Sequence, residues 1–309
     1  MRHHRTICHE AFFVRHLGIA LLWLLWRLLP AGALGWLGEE LGATLYFVAK
    51  ARVRVGLTNL RLCFPELDEA GRHSLLRAHF RALGRATLQE TVSWWGSRDE
   101  VEGLTQLEGL EHLVPHKGKP LIWLAPHFVG LNVGGVRITA AYAPIVSLSA
   151  SIKNPLSENL MLHARTRFCG EGGASEMYSR QDGIKPVLRA IKKGLPFYYL
   201  PDMDYGPRDA IFVPFFGIPA ATITGVSRIA RATGAVVVPC ITRQEGGAYV
   251  TRFYPAWEHF PTEDIAADTA RMNAFIEARI RETPAQYFWL HKRFKTRPQG
   301  EQGFYDSVG

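Results

Sequence analysis

Residues 120–135 read PLIWLAPHFVGLNVGG, and this stretch decides the class of fold. The run from 120 to 125 is short and apolar, which is typical of a strand buried on both faces of a sheet. Pro126 and His127 follow it directly, and the next residues continue as a helix. The stretch therefore predicts a buried strand, a turn that carries His127, and a helix beyond the turn.

Further apolar strands and amphipathic helices alternate along the chain. Predicted strands cover 144–151, 196–202, 235–243 and 248–256, and predicted helices cover 68–96, 155–170, 182–194, 221–234 and 264–282. Alternation of this kind predicts an α/β domain with helices on both faces of its sheet. The simplest division is an N-terminal membrane anchor and helical segment over 1–100, followed by the α/β domain over 101–309.

The N-terminal segment is predicted to anchor the protein at a membrane. The uncharged run from Leu17 to Trp26 has ten residues, whereas a full span needs about 20. We interpret residues 10–30 as an uncleaved anchor, either a short tilted span or a helix in the interface. A signal peptide and a buried core helix are the alternatives. Residues 1–61 hold eight Lys or Arg and three Asp or Glu, which favours the cytoplasmic face.

Charge and cysteine content narrow the choice of partner and compartment. The formal charge of +8 and the pI of about 9.4 indicate an anionic partner, such as nucleic acid, a membrane surface or an acidic substrate. Nucleic-acid binding has no recognised motif here and leaves the apolar N-terminus unexplained. The four cysteines form no CxxC pair, which argues against a zinc site or a disulfide framework and fits a reducing compartment.

Polar side chains follow the predicted strands, where α/β proteins concentrate their chemistry. A histidine that takes a proton from a hydroxyl needs an orienting acceptor on its other ring nitrogen. For His127 the candidate acceptor is Asn132, and glycines at 130, 134 and 135 would let a substrate approach the backbone. Near the C-terminus, Lys292 and Arg293 lie among aromatic residues, a pattern that suits phosphate or headgroup contact. A solvated basic stretch is the alternative.

Several longer stretches carry a family resemblance. They are APHFVGLNVGG (125–135), KNPLSENLMLHARTRF (153–168), PDMDYGPRDAIFVPFFG (201–217), ATITGVSRIARATGAVVVP (221–239) and MNAFIEARIRETPAQYFWLHKRFKTRP (272–298). Over nearly its whole length the chain resembles the late-stage lipid A acyltransferases, the lauroyl and myristoyl enzymes that acylate lipid A precursors. The third and last stretches are the most specific.

The resemblance implies an enzyme on the cytoplasmic face of the inner membrane. Such an enzyme transfers a fatty acyl chain from acyl carrier protein to a hydroxyl of a Kdo-bearing lipid A precursor, and its chemistry needs no metal or organic cofactor. The implied fold is glycerol-phosphate-acyltransferase-like, with a mixed sheet flanked by helices. The family's His-x4-Asp/Glu dyad falls on His127 and Asn132. Its Gly-Arg-x-Arg element falls on Arg165 and Arg167, with Ala164 replacing the glycine, and its Asp-x-Asp-Tyr-Gly element falls on Asp202, Asp204, Tyr205 and Gly206.

In the mechanism that the resemblance implies, His127 is the general base and Arg165 stabilises the oxyanion or a nearby phosphate. Asn132 departs from the pattern, because its amide can accept a hydrogen bond but carries no charge to support an imidazolium. The protein is then an active acyltransferase helped by another acid such as Asp202, a weakened or non-catalytic lipid-binding paralogue, or a substrate trap. An acyltransferase for another membrane lipid is a further alternative. We expect Asn132→Asp to raise turnover and His127→Ala to abolish it.

Overall fold

A mixed seven-stranded sheet is the centre of the fold. The computed structural model describes residues 17–149, 155–168 and 175–305. The strands of the sheet are β1 (Thr105–Glu108), β2 (Leu121–Leu124), β3 (Val146–Ser149), β4 (Glu176–Ser179), β5 (Phe197–Tyr199), β8 (Val236–Glu245) and β9 (Ala248–Phe253); β6 (Ala210–Phe215) and β7 (Ile218–Ile223) form a separate antiparallel hairpin. The order in the sheet is β1-β9-β8-β2-β5-β3-β4, and all neighbouring strands are parallel except the β8–β9 pair.

Helices precede the sheet and cover it. Residues 17–28 are helical (α1). The others are α2 (Ala31–Val48), α3 (Lys50–Cys63), α4 (Glu69–Trp95), α5 (Arg98–Leu104), α6 (Leu131–Ala141), α7 (Pro155–Thr166), α8 (Lys185–Lys192), α9 (Gly225–Thr233) and α10 (Ile265–Glu282). The predicted α/β class with a mixed sheet is therefore confirmed.

Strand β2 is buried on both faces, as its apolar run predicts. Ile122 and Leu124 point into one core, which they share with α3, α4 and α10. Leu121 and Trp123 point into a second core on the opposite face. All four side chains are at most 6 % exposed. Because side chains alternate along a strand, a strand between two apolar layers must be apolar at every position.

The long helix α4 is held tightly against α2. A Cβ added to Gly38 would lie 2.5 Å from the carbonyl oxygen of Gly84, and one added to Gly84 would lie 2.1 Å from the carbonyl oxygen of Gly38. Only glycine allows this approach of two helix backbones. Asp68 caps the start of α4 by accepting a hydrogen bond of 2.7 Å from the Gly71 amide. These contacts fix the helix whose C-terminal half lies behind the candidate site.

The structure describes the predicted N-terminal anchor, residues 10–30, only from residue 17 onward. The helix over residues 17–28 ends before Pro30, and α2 starts at Ala31. No helix within the described ranges is long and apolar enough to cross a membrane. Residues 10–16 of the predicted anchor lie outside the described residues, as do 150–151 and 169–170 of the predicted strand and helix.

Two short strands and one hairpin were not predicted. β1 and β4 have four residues each, and both lie at the edges of the sheet. The helix predicted over 221–234 starts only at Gly225, because residues 218–223 pair with β6 instead. Phe216 and Gly217 join the two strands with positive φ angles of 52° and 76°, as a tight hairpin turn requires.

Candidate active site

The sheet brings His127 and Asp202 together. β2 and β5 are neighbouring parallel strands, and Leu124 pairs with Tyr199. His127 comes three residues after Leu124, and Asp202 comes three residues after Tyr199, so both side chains emerge at the same edge of the sheet. The backbone continues this pairing, since the Ala125 amide donates to the Tyr199 carbonyl at 2.8 Å. Carboxyl ends of parallel strands are the usual place for ligands and chemistry in such sheets.

Asp202, and not Asn132, is the orienting partner of the histidine. The Nδ1 of His127 lies 2.7 Å from Oδ1 of Asp202, and the backbone N–H of His127 donates to Oδ2 at 2.9 Å. A carboxylate accepts from Nδ1–H, so Nε2 is left without a proton and can act as a base. The expectation that Asn132 would contact the imidazole is therefore wrong. Their helical spacing does not bring the two side chains together, because His127 lies in the turn before α6.

His127 and Asp202 lie within ion-pair distance of each other, and the carboxylate of the pair is buried. Asp202 is 1 % exposed, whereas the histidine side chain is 19 % exposed. Burial alone would raise the pKa of Asp202, but the His127 charge and its two hydrogen bonds hold that pKa below its usual range. Asp202 is thus a carboxylate at neutral pH, available to stabilise an imidazolium when Nε2 gains a proton.

A cavity of about 600 Å³ lies beside the imidazole. This volume is typical of a ligand pocket. His127, Asn132, Arg165 and Tyr205 are among the polar residues of its wall. Its apolar wall consists of Leu131, Ile145, Leu148, Met161, Leu162, Met177, Leu200 and Met203. A proton acceptor beside an apolar chamber suits a substrate with a reactive polar group and a hydrocarbon chain.

Arg165 and Asn132 form a second pair on the cavity wall. Asn132 is in the first turn of α6, and Arg165 is in the last turn of α7. The guanidinium of Arg165 donates to Oδ1 of Asn132 at 2.9 Å. Burial lowers the pKa of this arginine, while the charge of Glu90 on α4 acts to raise it. The predicted catalytic residues His127, Asn132 and Arg165 therefore share one cavity, although Asn132 contacts the arginine.

The glycines near His127 serve packing more than substrate access. A Cβ on Gly134 would lie 1.9 Å from Oγ1 of Thr242, and one on Gly130 would lie 2.7 Å from the Tyr249 ring. These two glycines let α6 pack against β8 and β9. Gly135 alone of the three lines the cavity. The prediction that all three leave room for a substrate is correct only for Gly135.

The side chains of Arg167 and Asp204 form hydrogen bonds within the protein. Arg167 donates to the carbonyl oxygens of Ser93 and Val92 at 2.9 and 3.2 Å, and so caps the C-terminal end of α4. Asp204 is 4 % exposed and accepts hydrogen bonds from the Gly206 amide and from Thr296. Their predicted contact with substrate has no support in this geometry, because neither residue lines the cavity.

The remaining three predicted binding residues lie in the cavity wall, in the core and at the surface. Tyr205 lines the cavity, and its hydroxyl donates to the Leu200 carbonyl at 3.1 Å. Arg293 is 2 % exposed and donates to Ala221 and Thr222, so it fastens the β6–β7 hairpin. Lys292 is exposed at the surface. The predicted basic patch is therefore not a continuous surface.

Two residues near the site have no sequence signal. Arg180 lines the cavity, with its guanidinium carbon 3.5 Å from the centre of the Tyr205 ring. Glu90 is on α4, and its charge acts on Arg165. Neither position stands out from other polar positions in the sequence, and only the tertiary packing brings the two residues near the site. Among the described residues, no group of His, Cys, Asp and Glu could hold a metal ion.

A histidine that contacts a buried carboxylate beside a substrate-sized cavity is an arrangement that can support general-base chemistry. The family described as bacterial lipid A biosynthesis acyltransferase matches residues 2–296, and the chain belongs to this family. The resemblance seen in the sequence is thereby confirmed, and the protein is a member of an acyltransferase family.

Two relatives from Escherichia coli agree with this assignment. The chain is 33 % identical to the lipid A biosynthesis lauroyltransferase of Escherichia coli K12 over 300 residues, covering 96 % of this chain and 95 % of the relative. It is 30 % identical to the palmitoleoyltransferase of the same organism, covering 97 % of each chain. A crystal structure of the 1-acyl-sn-glycerophosphate acyltransferase PlsC from Thermotoga maritima aligns with a TM-score of 0.39 and 13 % identity, covering 82 % of this chain and 98 % of that one.

Proposed function

We propose that this protein transfers a fatty acyl chain from acyl carrier protein to a hydroxyl of a Kdo-bearing lipid A precursor, with His127 as the general base. The observation that carries the proposal is the contact of 2.7 Å between His127 and the buried Asp202 beside the cavity. Family membership supports the acyl transfer and the lipid A pathway. The donor, the acceptor and the base are our inference.

The proposed step needs only a base and an anion-stabilising group. The Nε2 of His127 takes the proton of the acceptor hydroxyl, whose oxygen forms a bond to the thioester carbonyl carbon. The negative charge on the carbonyl oxygen is stabilised by the guanidinium of Arg165. Collapse of this intermediate breaks the carbon–sulfur bond, and the leaving thiolate takes the proton from Nε2. The products are an ester and the free thiol of the carrier protein.

The non-catalytic alternative loses its main argument. That interpretation rested on a histidine whose partner is the neutral Asn132. The imidazole has a carboxylate partner in Asp202, so the charge that supports an imidazolium is present. An active acyltransferase helped by Asp202 is the interpretation that the geometry supports best.

A membrane surface is the proposed location of the reaction. Exposed apolar side chains concentrate on α1 and α2, where Leu28, Trp36 and Phe47 are 68 %, 64 % and 67 % exposed. Lys50 and Arg52 follow α2 directly. Apolar helix faces next to basic residues bind the interface of an anionic bilayer. We propose that α1 and α2 lie in the cytoplasmic face of the inner membrane.

Flotation with vesicles of anionic phospholipid tests the membrane location. L28E and F47E are expected to reduce the fraction of protein bound, because each places a charge in the apolar layer. V114E is the matched control, since Val114 is 71 % exposed but lies outside α1 and α2. Equal binding of all variants would contradict this location.

Mass spectrometry of lipid A tests the transfer itself. Cells with the wild-type protein are expected to contain a lipid A species heavier by one fatty acyl group than cells without it. The H127A variant is expected to leave the lighter species. If lipid A is unchanged and another membrane lipid gains the acyl group, that lipid is the acceptor and the proposed acceptor is wrong.

A further inference from the structure

One C-terminal segment, residues 286–296, contacts both residues of the histidine–aspartate pair, and we call it the strap. The backbone N–H of Phe288 donates to the carbonyl oxygen of His127 at 2.9 Å. The hydroxyl of Tyr287 donates to the carbonyl oxygen of Asp202 at 3.5 Å. The strap therefore touches the turn that carries the base and the strand end that carries its carboxylate.

His291 is the strap residue whose ring holds the loop that follows Asp202. Its Nε2 accepts a hydrogen bond of 2.8 Å from the backbone N–H of Asp204. A ring nitrogen that accepts carries no proton, so the imidazole is neutral with its proton on Nδ1. Burial lowers the pKa of His291 to about 4, which keeps the ring in this form at neutral pH. Thr296, at the far end of the strap, donates to the Asp204 carboxylate at 2.6 and 2.8 Å.

The main chain of the strap is fixed on its other side by Asn59 of α3. Asn59 is 1 % exposed, and its side-chain NH2 donates to the carbonyl oxygens of Trp289 and His291 at 2.7 and 2.8 Å. His291 thus connects the buried core to the loop of Asp202. It does not line the cavity, so an effect of this residue on the reaction must pass through the groups that it holds.

We propose that His291 is a positioning residue, whose hydrogen bond to the Asp204 amide holds the loop that keeps Asp202 against Nδ1 of His127. This inference rests on the proposed role of His127 as general base. Both hydrogen bonds between Asp202 and His127 depend on the place of one carboxylate. A displacement of such a group by about 1 Å can lower a rate by about 10².

The test compares a variant that removes the acceptor with one that keeps it. H291L leaves the Asp204 amide without its acceptor and is expected to lower kcat roughly ten- to hundredfold. KM is expected to stay near the wild-type value, because His291 is not part of the cavity wall. H291Q is the matched control and is expected to keep most of the wild-type kcat, since its amide oxygen can accept from the same N–H.

Two further measurements separate positioning from a general loss of structure. The acid limb of the kcat/KM profile is expected to move to lower pH in H291L and not in H291Q, because a displaced carboxylate supports the imidazolium less. H291L is also expected to have little effect in the D202N background, where the carboxylate is already absent. H79L is the control for loss of a buried histidine, because Nδ1 of His79 contacts the Ala285 carbonyl at 2.9 Å, outside the strap. Its effect is expected to be the same in both backgrounds.

Two results would overturn the proposal while leaving the acyl transfer intact. One is the wild-type kcat in folded H291L, and the other is an equal loss from H291L in the wild-type and D202N backgrounds. Failure of the proposed function is distinguishable, because the wild-type protein would then be as inactive as H127A.

In that case proton NMR measures the position of the carboxylate without any turnover. The Nδ1–H proton of His127 is identified by its absence in H127A. It is expected to resonate downfield in the wild-type protein and in H291Q, because it is hydrogen-bonded to a carboxylate, and to move upfield in H291L. An unchanged resonance in folded H291L would overturn the proposal.

Discussion

Asp202→Asn is the substitution that tests the geometry of the histidine most sharply. The carboxylate accepts two hydrogen bonds from one residue, at 2.7 Å from Nδ1 and 2.9 Å from the backbone N–H of His127. An amide has one oxygen for these two donors. If the oxygen stays with the backbone, the amide NH2 faces Nδ1 and drives the ring proton to Nε2. The nitrogen that must accept the hydroxyl proton is then occupied.

The expected loss follows from this change of tautomer. A positioned general base contributes about 10²–10⁴ to the rate, and the same exchange in the serine-protease triad costs about 10⁴ in turnover. We therefore expect kcat/KM of D202N to fall by about 10²–10⁴, equivalent to about 3–5.5 kcal/mol of transition-state stabilisation.

The assay is steady-state acyl transfer from acyl carrier protein to the lipid A precursor with purified protein. D268N is the matched control, because Asp268 is also buried at 2 % exposure but accepts its hydrogen bonds from Thr262, on a different part of the fold. It is expected to lose stability without the loss of kcat/KM. A folded D202N with the wild-type kcat/KM would refute the role of Asp202.

The remaining predictions concern packing and pH. Gly134→Ala is expected to lower the Tm by several degrees, since its Cβ would lie 1.9 Å from Oγ1 of Thr242 and overpacking costs about 1–3 kcal/mol. Gly135→Ala is expected to keep the wild-type Tm, because its Cβ would approach Tyr198 only to 3.5 Å. Equal losses of Tm in the two variants would contradict the packing role of Gly134. Burial raises the pKa of Glu90 from 4.5 to about 7, so the unfolded chain releases its proton first and stability falls as pH rises between these values. The free energy of unfolding falls by at most about 3 kcal/mol over this range. When thermal unfolding is measured at a series of pH values, E90Q is expected to lack this fall. The same pH dependence in the wild-type protein and in E90Q would contradict the raised pKa of Glu90.

Much of the fold can be predicted from local patterns. The strands at 120–125, 196–202 and 235–243 are short, continuous apolar runs, and this length and composition identify them without tertiary information. The sequence does not predict β1 and β4, because their residues, TQLE and EMYS, do not form apolar runs. The hairpin was missed in part because residues 221–223 precede the helix α9 without a break in composition.

The candidate site was only half predictable, and the reason is strand order. The sequence shows that His127 and Asp202 each follow a strand, but it does not show that β2 and β5 are neighbours in the sheet. Without that order, the sequence indicates Asn132, the next polar residue along the chain, as the partner of His127. The contacts of Arg293 are equally non-local, since they join it to Ala221 and Thr222 of β7.

The turnover of purified His127→Ala is the most direct measurement of the central claim, that the imidazole removes a proton from the acceptor hydroxyl. With acyl carrier protein thioester as donor, we predict that ester formation by the folded variant falls by at least about 10². A folded variant that forms the ester at the wild-type rate would contradict the claim, because no proton would then pass through this ring.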